Sequence, residues 1–403
     1  MKKLFAVLAA LAMVTTAAHA QAAVAGTLET RLNSFRGNLS ADDVELEMGG
    51  SIGTAWLQFS GTNADGTLGA LWRFRQNDMV RGPGGGVTGP VWHRAFVWWR
   101  PIEQMRIMLG IDSDGQFDTS SIAGWGFHQG DNDFMFNHQW DFWRRVFPGN
   151  WDSFGLAFSF INLVDGLNLN LVLPTGSRTW PREGPARVTE TRNLDELIAG
   201  FRLHGTFAIP GAGTLQLTYN APGGIMNDTP GQVDRTTWED ATTFGQVGLS
   251  FLLTALDFGN LLFGGAVVIP DSDGDLDAHA GLGLDMPALV PGLMGLRFRA
   301  GMRIPTADGV DPLLTANLMP VVSLGPGSLM FDIGVTARFA DEFDAEADLG
   351  WSVKPVYRLP LASGAFSIGL HVWSGTNMGG NQTDLTGNND IHINIPMLLR
   401  FSF

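Results

Sequence analysis

The chain has 403 residues, 16% of them charged, with a formal net charge of −15, 52 glycines and no cysteine. The acidic balance excludes nucleic acid as a partner, and the lack of cysteine excludes a disulfide-stapled scaffold. A soluble domain carries about a quarter charged residues, so the low proportion here points to a large surface that does not face water.

Residues 1–20 read as a secretory signal peptide: Lys2 and Lys3 precede an apolar run from Leu4 to Val14, and Ala18-His19-Ala20 closes the segment with small residues at the positions that suit cleavage. The run is shorter than the roughly 20 residues of a membrane helix, and no run of that length follows, which excludes a helical membrane protein. Residues 21–403 are expected to form one domain built on apolar–polar alternation with a period of two, without a helix of useful length. The polar faces carry Glu29 and Arg31 on the first strand, Glu45 and Glu47 on the second, Arg73 and Arg75 on the third, Arg94 on the fourth and Arg106 on the fifth. Arg202, His204 and Lys354 follow on later strands. Further along, Leu296, Phe298, Ala300, Met302 and Ile304 alternate with Arg297, Arg299, Gly301 and Arg303. Asp332, Thr336 and Arg338 oppose Ile333, Val335 and Ala337, and from Ile391 to Phe403 every odd position is apolar. A charge facing lipid at mid-depth costs about 2–4 kcal/mol, whereas one facing a water-filled lumen does not. Arg73, Arg75, Arg94, Arg106, Arg297, Arg299, Arg303 and Arg338 are therefore the expected pore-lining residues.

A soluble sandwich also alternates, so the connections decide between the two. Short segments rich in Gly, Pro, Asp and Asn lie at 61–66, 101–104, 163–166, 210–213, 257–260, 286–291, 325–328 and 361–364. Between them lie mostly longer connections at 38–43, 77–90, 115–151, 175–193, 221–243, 270–276, 305–312, 340–347 and 374–390. Strict alternation of long and short marks an up-and-down antiparallel transmembrane β-barrel of about eighteen strands, sixteen being the other count considered, with short periplasmic turns and long external loops. Trp56, Trp72, Trp99, Trp351, Tyr357 and Trp373 fall within the strands and are expected at the headgroup level.

The stretch 124–145 contains Trp125, Phe127, Phe134, Phe136, Trp140, Phe142 and Trp143, too many aromatics for a solvated loop. It is expected to pack on the inner wall, an exposed adhesive surface being the alternative. Two aspartate runs, Asp112-Ser-Asp114-Gly-Gln-Phe-Asp118 and Asp271-Ser-Asp273-Gly-Asp275-Leu-Asp277, have the carboxylate spacing of calcium loops. Neither ends in the bidentate glutamate of an EF-hand, and a hydrophilic loop tip competes with the metal reading at both. There is no G-x-S-x-G, no H-E-x-x-H and no phosphate-cradling glycine loop. His128 and His138, ten residues apart with Asp131, Asp133 and Asp141 nearby, could make a metal or acid–base site, but isolated histidines in an aromatic loop are more often structural. No enzyme activity and no cofactor are expected.

The alternation, the loop lengths and the aromatic end of the chain resemble Gram-negative porins over the whole segment after residue 20. That resemblance implies a passive outer-membrane channel forming a homo-oligomer, commonly a trimer. It implies that Leu399, Phe401 and Phe403 form the terminal signal read by the barrel assembly machinery. It also implies that 115–151, after the fifth strand, folds inward as a constriction loop, with Asp112, Asp114, Asp118, Asp131 and Asp133 supplying acids opposite the wall arginines. Small hydrophilic solutes or ions are the expected cargo, with anionic or zwitterionic ones favoured. A surface adhesin and a hydrophobic-solute transporter built on the same closed barrel are the alternatives.

Overall fold

Alternating segments become strands because successive side chains of an extended chain point to opposite faces, which lets one face be apolar and the other polar. In the computed structural model, which describes residues 21–40, 47–77, 91–112, 153–179, 187–188, 194–222, 241, 243–270, 275–287, 290–306, 310–342, 348–374 and 390–402, eighteen such segments form one closed antiparallel sheet. They are β1 (Gln21–Asn38), β2 (Glu47–Thr62), β3 (Leu68–Asn77), β4 (Val91–Ile102), β5 (Met105–Asp112), β6 (Ser153–Phe160), β7 (Leu167–Thr179), β8 (Arg202–Ile209) and β9 (Gly213–Asn220). They continue with β10 (Thr243–Leu256), β11 (Gly259–Pro270), β12 (Asp277–Pro287), β13 (Leu293–Pro305), β14 (Leu313–Leu324), β15 (Gly327–Arg338) and β16 (Leu349–Leu361). The last two are β17, in two pieces (Gly364–Gly369 and His371–Ser374), and β18 (Ile391–Ser402).

Each strand pairs with its sequence neighbours, and β18 returns to β1, from Thr27 opposite Ser402 to Asn38 opposite His392. Side chains tie both ends of this seam: the Thr27 and Ser402 hydroxyls lie 3.1 Å apart, and Asn38 Nδ2 donates to Asp390 Oδ2 at 2.7 Å. Closure leaves the sheet no free edge, the condition for a strand-built structure to sit in hydrocarbon.

The short connections fall where the sequence places them, so both ends of the sheet, Gln21 and Ser402, lie on the short-turn rim. In the turn after β2, Asp65 Oδ1 accepts from the Thr67 hydroxyl at 2.8 Å and from its N–H at 3.2 Å, and Gly66 adopts φ +69°, a left-handed position that favours glycine. Two local features differ from expectation. The connection between β7 and β8 contains a six-residue helix, α1 (Leu194–Ala199), too short to leave a helical period in the sequence. It also holds a two-residue bridge, in which Arg187 and Val188 pair with Thr179 and Arg178. The break in β17 at Leu370 lies opposite Pro355, while neighbouring Gly369 lies opposite Pro396. Leu370 N–H donates to Pro355 O at 3.0 Å, but neither proline has an N–H to return, so the ladder lapses there.

The packing is inverted relative to a water-soluble domain. Among the described residues, polar side chains outnumber apolar ones in the buried set, whereas Leu109, Leu217, Leu249, Phe263, Ile333, Val353 and Phe401 are exposed on the outside. Residues 1–20, Phe403 and all of 115–151 lie outside the described residues.

Candidate functional site: the inner wall

Because a strand's register decides which polar residues meet, the inner face divides into sectors. On β3–β7, the inward Leu71, Phe96, Trp98, Met108, Ala157 and Val172 form an apolar patch, in which Met108 is 1% exposed. Beside it, Arg73 Nε donates to Gln58 Oε1 at 2.9 Å, and its guanidinium lies 4.5 Å from the Trp56 ring centroid, within cation–π range. Trp56 therefore faces the lumen and not the headgroups, as its alternation with Gln58 requires. Arg94 holds the register position opposite Arg73, and Arg75 the position opposite Trp56.

One continuous register row then links Arg106, Ser159, Asn170, His204 and Thr218 across β5–β9. His204 is fully buried, with Nε2 3.3 Å from Asn220 Oδ1, and Asn220 Nδ2 donates to Gln246 Oε1 at 3.2 Å.

The β12–β16 sector carries the charge. Arg297 meets Asp285 at 3.4 Å, Arg303 meets Asp277 at 3.0 Å, Arg338 meets Asp348 at 2.8 Å and Lys354 meets Asp332 at 3.5 Å. Asn317 Nδ2 also donates to Asp332 Oδ1, and buried Arg299 stands opposite Asn317 in the ladder. The acids that meet these cations are thus wall residues on the adjacent strand or, for Asp348, immediately before it. Of the acids expected on the long loop, Asp112 closes β5, with only its backbone described, and Asp114, Asp118, Asp131 and Asp133 lie outside the described residues. Asp277, expected in a calcium loop, opens β12 and ion-pairs with Arg303, with His279 Nδ1 3.9 Å away. Asp271 and Asp273 lie outside the described residues, and among the described ones no group of three or more His, Asp or Glu side chains that could hold a metal occurs near Asp275 or elsewhere.

On β17–β18 the rings of His371, Trp373 and His392 stack in series, with centroids 4.3 and 5.2 Å apart and interplanar angles of 22° and 19°. Trp373 is buried on the inner face, a second departure from the aromatic belt, whereas Trp72, Trp99 and Trp351 are exposed on the outer one. Asp285, Asp348, Asn317 and the stacking of Trp373 between His371 and His392 were not singled out in the sequence, and Asp332 was named there only for its face. Their alternation places them on the polar face, but their partners come from strand register. On the described inner face cations outnumber acids, although the chain as a whole is acidic. At the short-turn rim, the Thr67 hydroxyl and N–H hold the Asp65 carboxyl below its ordinary range.

No family model and no curated protein matches the chain. Solved structures similar to it include a triple mutant of Rhodopseudomonas blastica porin, at 12% identity and a TM-score of 0.42, covering 95% of this chain and 100% of that one. The outer membrane channel DcaP of Acinetobacter baumannii is similar at 9% identity and a TM-score of 0.47, covering 96% of this chain and 99% of that one. The barrel itself rests on the closed ladder from β18 to β1 and not on these likenesses.

Proposed function

We propose that the protein is an outer-membrane channel through which small hydrophilic solutes and ions diffuse passively, with anionic and zwitterionic solutes favoured. The observation that carries this reading is the inversion of the sheet: an apolar exterior on a closed barrel, around an interior lined by Arg, Lys, Asp, Asn and His. A closed sheet of 18 strands is wide enough to leave an aqueous lumen. Selectivity follows the charge nearest the permeating ion and not the total, so the excess of wall cations outweighs the net charge of −15. The lining residues are Arg73, Arg75, Arg94, Arg106, Arg297, Arg299, Arg303 and Arg338, and the channel needs no catalytic step and no cofactor.

In this reading residues 1–20 direct export, Phe403 ends the segment read by the assembly machinery, and copies associate as a trimer. Residues 115–151 narrow the lumen. The apolar patch supports that role, because it lies on the strands that flank the β5–β6 connection and offers the aromatics of 124–145 a dry surface inside the barrel. The same patch also favours a second reading, passage of solutes with an apolar part. Liposome swelling with sugars, amino acids and aromatic carboxylates separates the two. Entry of sugars and amino acids supports the hydrophilic pore, and entry of aromatic carboxylates alone supports the alternative.

A further inference from the structure

Resting on the channel reading, we infer that Asp332 is a specificity-determining residue, the acid that limits the anion preference of the lumen at mid-depth. Asp332 lies midway along β15 on the inner face and is the direct register partner of Lys354 on β16. One carboxylate oxygen ion-pairs with Lys354 Nζ at 3.5 Å and the other accepts from Asn317 Nδ2. Arg299, midway along β13, lies on the far side of Asn317. All four side chains are buried. The other acids with described ion pairs on the inner wall sit toward strand ends: Asp277 opens β12, Asp285 is near its close, and Asp348 precedes β16.

The mid-barrel group therefore holds Arg299 and Lys354 against one acid. Its formal charge is one positive unit, the Asp332 carboxylate being set against the Arg299 guanidinium and the Lys354 ammonium. Burial does not isolate this charge from the lumen, because a charge held behind low-dielectric side chains is screened less than one in water. Asp332→Asn keeps the shape and the amide contacts, and raises the local charge to two. Lys354→Met, by contrast, lowers it to zero. A unit charge about 10 Å from the permeation path changes the anion-to-cation permeability ratio by roughly threefold to tenfold in dilute salt. The effect fades at about 1 M, where the screening length is near 3 Å.

The test is the reversal potential of the full-length protein in planar bilayers across a dilute potassium chloride gradient. Asp332→Asn should move the ratio toward chloride and Lys354→Met toward potassium. The double variant and Asp332→Glu should both return to the wild-type ratio, and heat-modifiable gel mobility should show all four folded. A folded Asp332→Asn channel with the wild-type ratio, or a double variant that tracks Asp332→Asn, overturns the inference. A wild-type protein that never conducts overturns the channel reading instead, so the two failures are distinguishable.

Discussion

Replacing Ile333 by arginine asks the barrel which solvent it faces. Ile333 lies mid-strand on β15 and is 42% exposed, and its register partners Leu318 and Val353 are each 37% exposed. These three side chains form an apolar row on the outer face, one residue away from the inward Asp332. An arginine facing hydrocarbon at mid-depth costs about 2–4 kcal/mol, while the cost near the interface falls to about 0–1 kcal/mol. Phe339, exposed at 46% just past the end of β15, supplies the rim position. In a water-soluble barrel both substitutions would stay within about 0.5 kcal/mol of neutral. Reversible folding into phospholipid vesicles, followed by tryptophan fluorescence against denaturant, measures both. The expected result is a loss of about 2–4 kcal/mol for Ile333→Arg and under about 1 kcal/mol for Phe339→Arg. Equal, near-zero losses at the two sites would refute a lipid-facing exterior.

Arg338→Met removes the cation that meets Asp348, whose side chain is 5% exposed, and should cost about 1–3 kcal/mol in the same folding assay; a change under about 0.5 kcal/mol would mean that Asp348 gains nothing from Arg338. Gly264→Val would bring a Cβ within 2.5 Å of Leu249 O and 2.6 Å of Ser250 Cα, so it should lower the thermal midpoint, and an unchanged midpoint would contradict the β10–β11 register. Because the Asp65 carboxyl is depressed in the folded chain, its contribution is present above the ordinary carboxylate range and lost as pH falls through the lower folded value. Asp65→Asn should therefore flatten the acid limb of the pH–stability curve, and a limb parallel to wild type would refute the Thr67 contacts as its cause. Replacing 124–145 by a short glycine–serine linker should raise conductance if the segment narrows the lumen, whereas unchanged conductance with loss of surface binding would support the adhesin alternative.

The barrel was legible because its signals are local. Period-two alternation is visible within a dozen residues, and turn chemistry at Gly66, Gly211 and Gly325 punctuates it. Strand count followed from connection lengths, without any knowledge of pairing. The inner wall was legible only in part, for the same reason. Alternation places Arg297, Arg303 and Arg338 on the polar face, yet Asp285, Asp277 and Asp348 become their partners through register, a property of two strands at once. Trp56 and Trp373 show the cost of weighing residue type over parity. Each shares its face with polar neighbours, Gln58 and His371, and that parity already points it inward. The prolines at 355 and 396 were visible, but their joint effect on β17 depends on flanking it from both sides.

Single-channel recording of the purified full-length chain in a planar bilayer, under a potassium chloride gradient, tests the central claim most directly. The account expects discrete, long-lived conductance steps with a reversal potential displaced toward the chloride equilibrium. Folded protein that inserts without any conductance at any voltage would contradict the channel, and steps with a potassium-directed reversal potential would contradict the cationic wall.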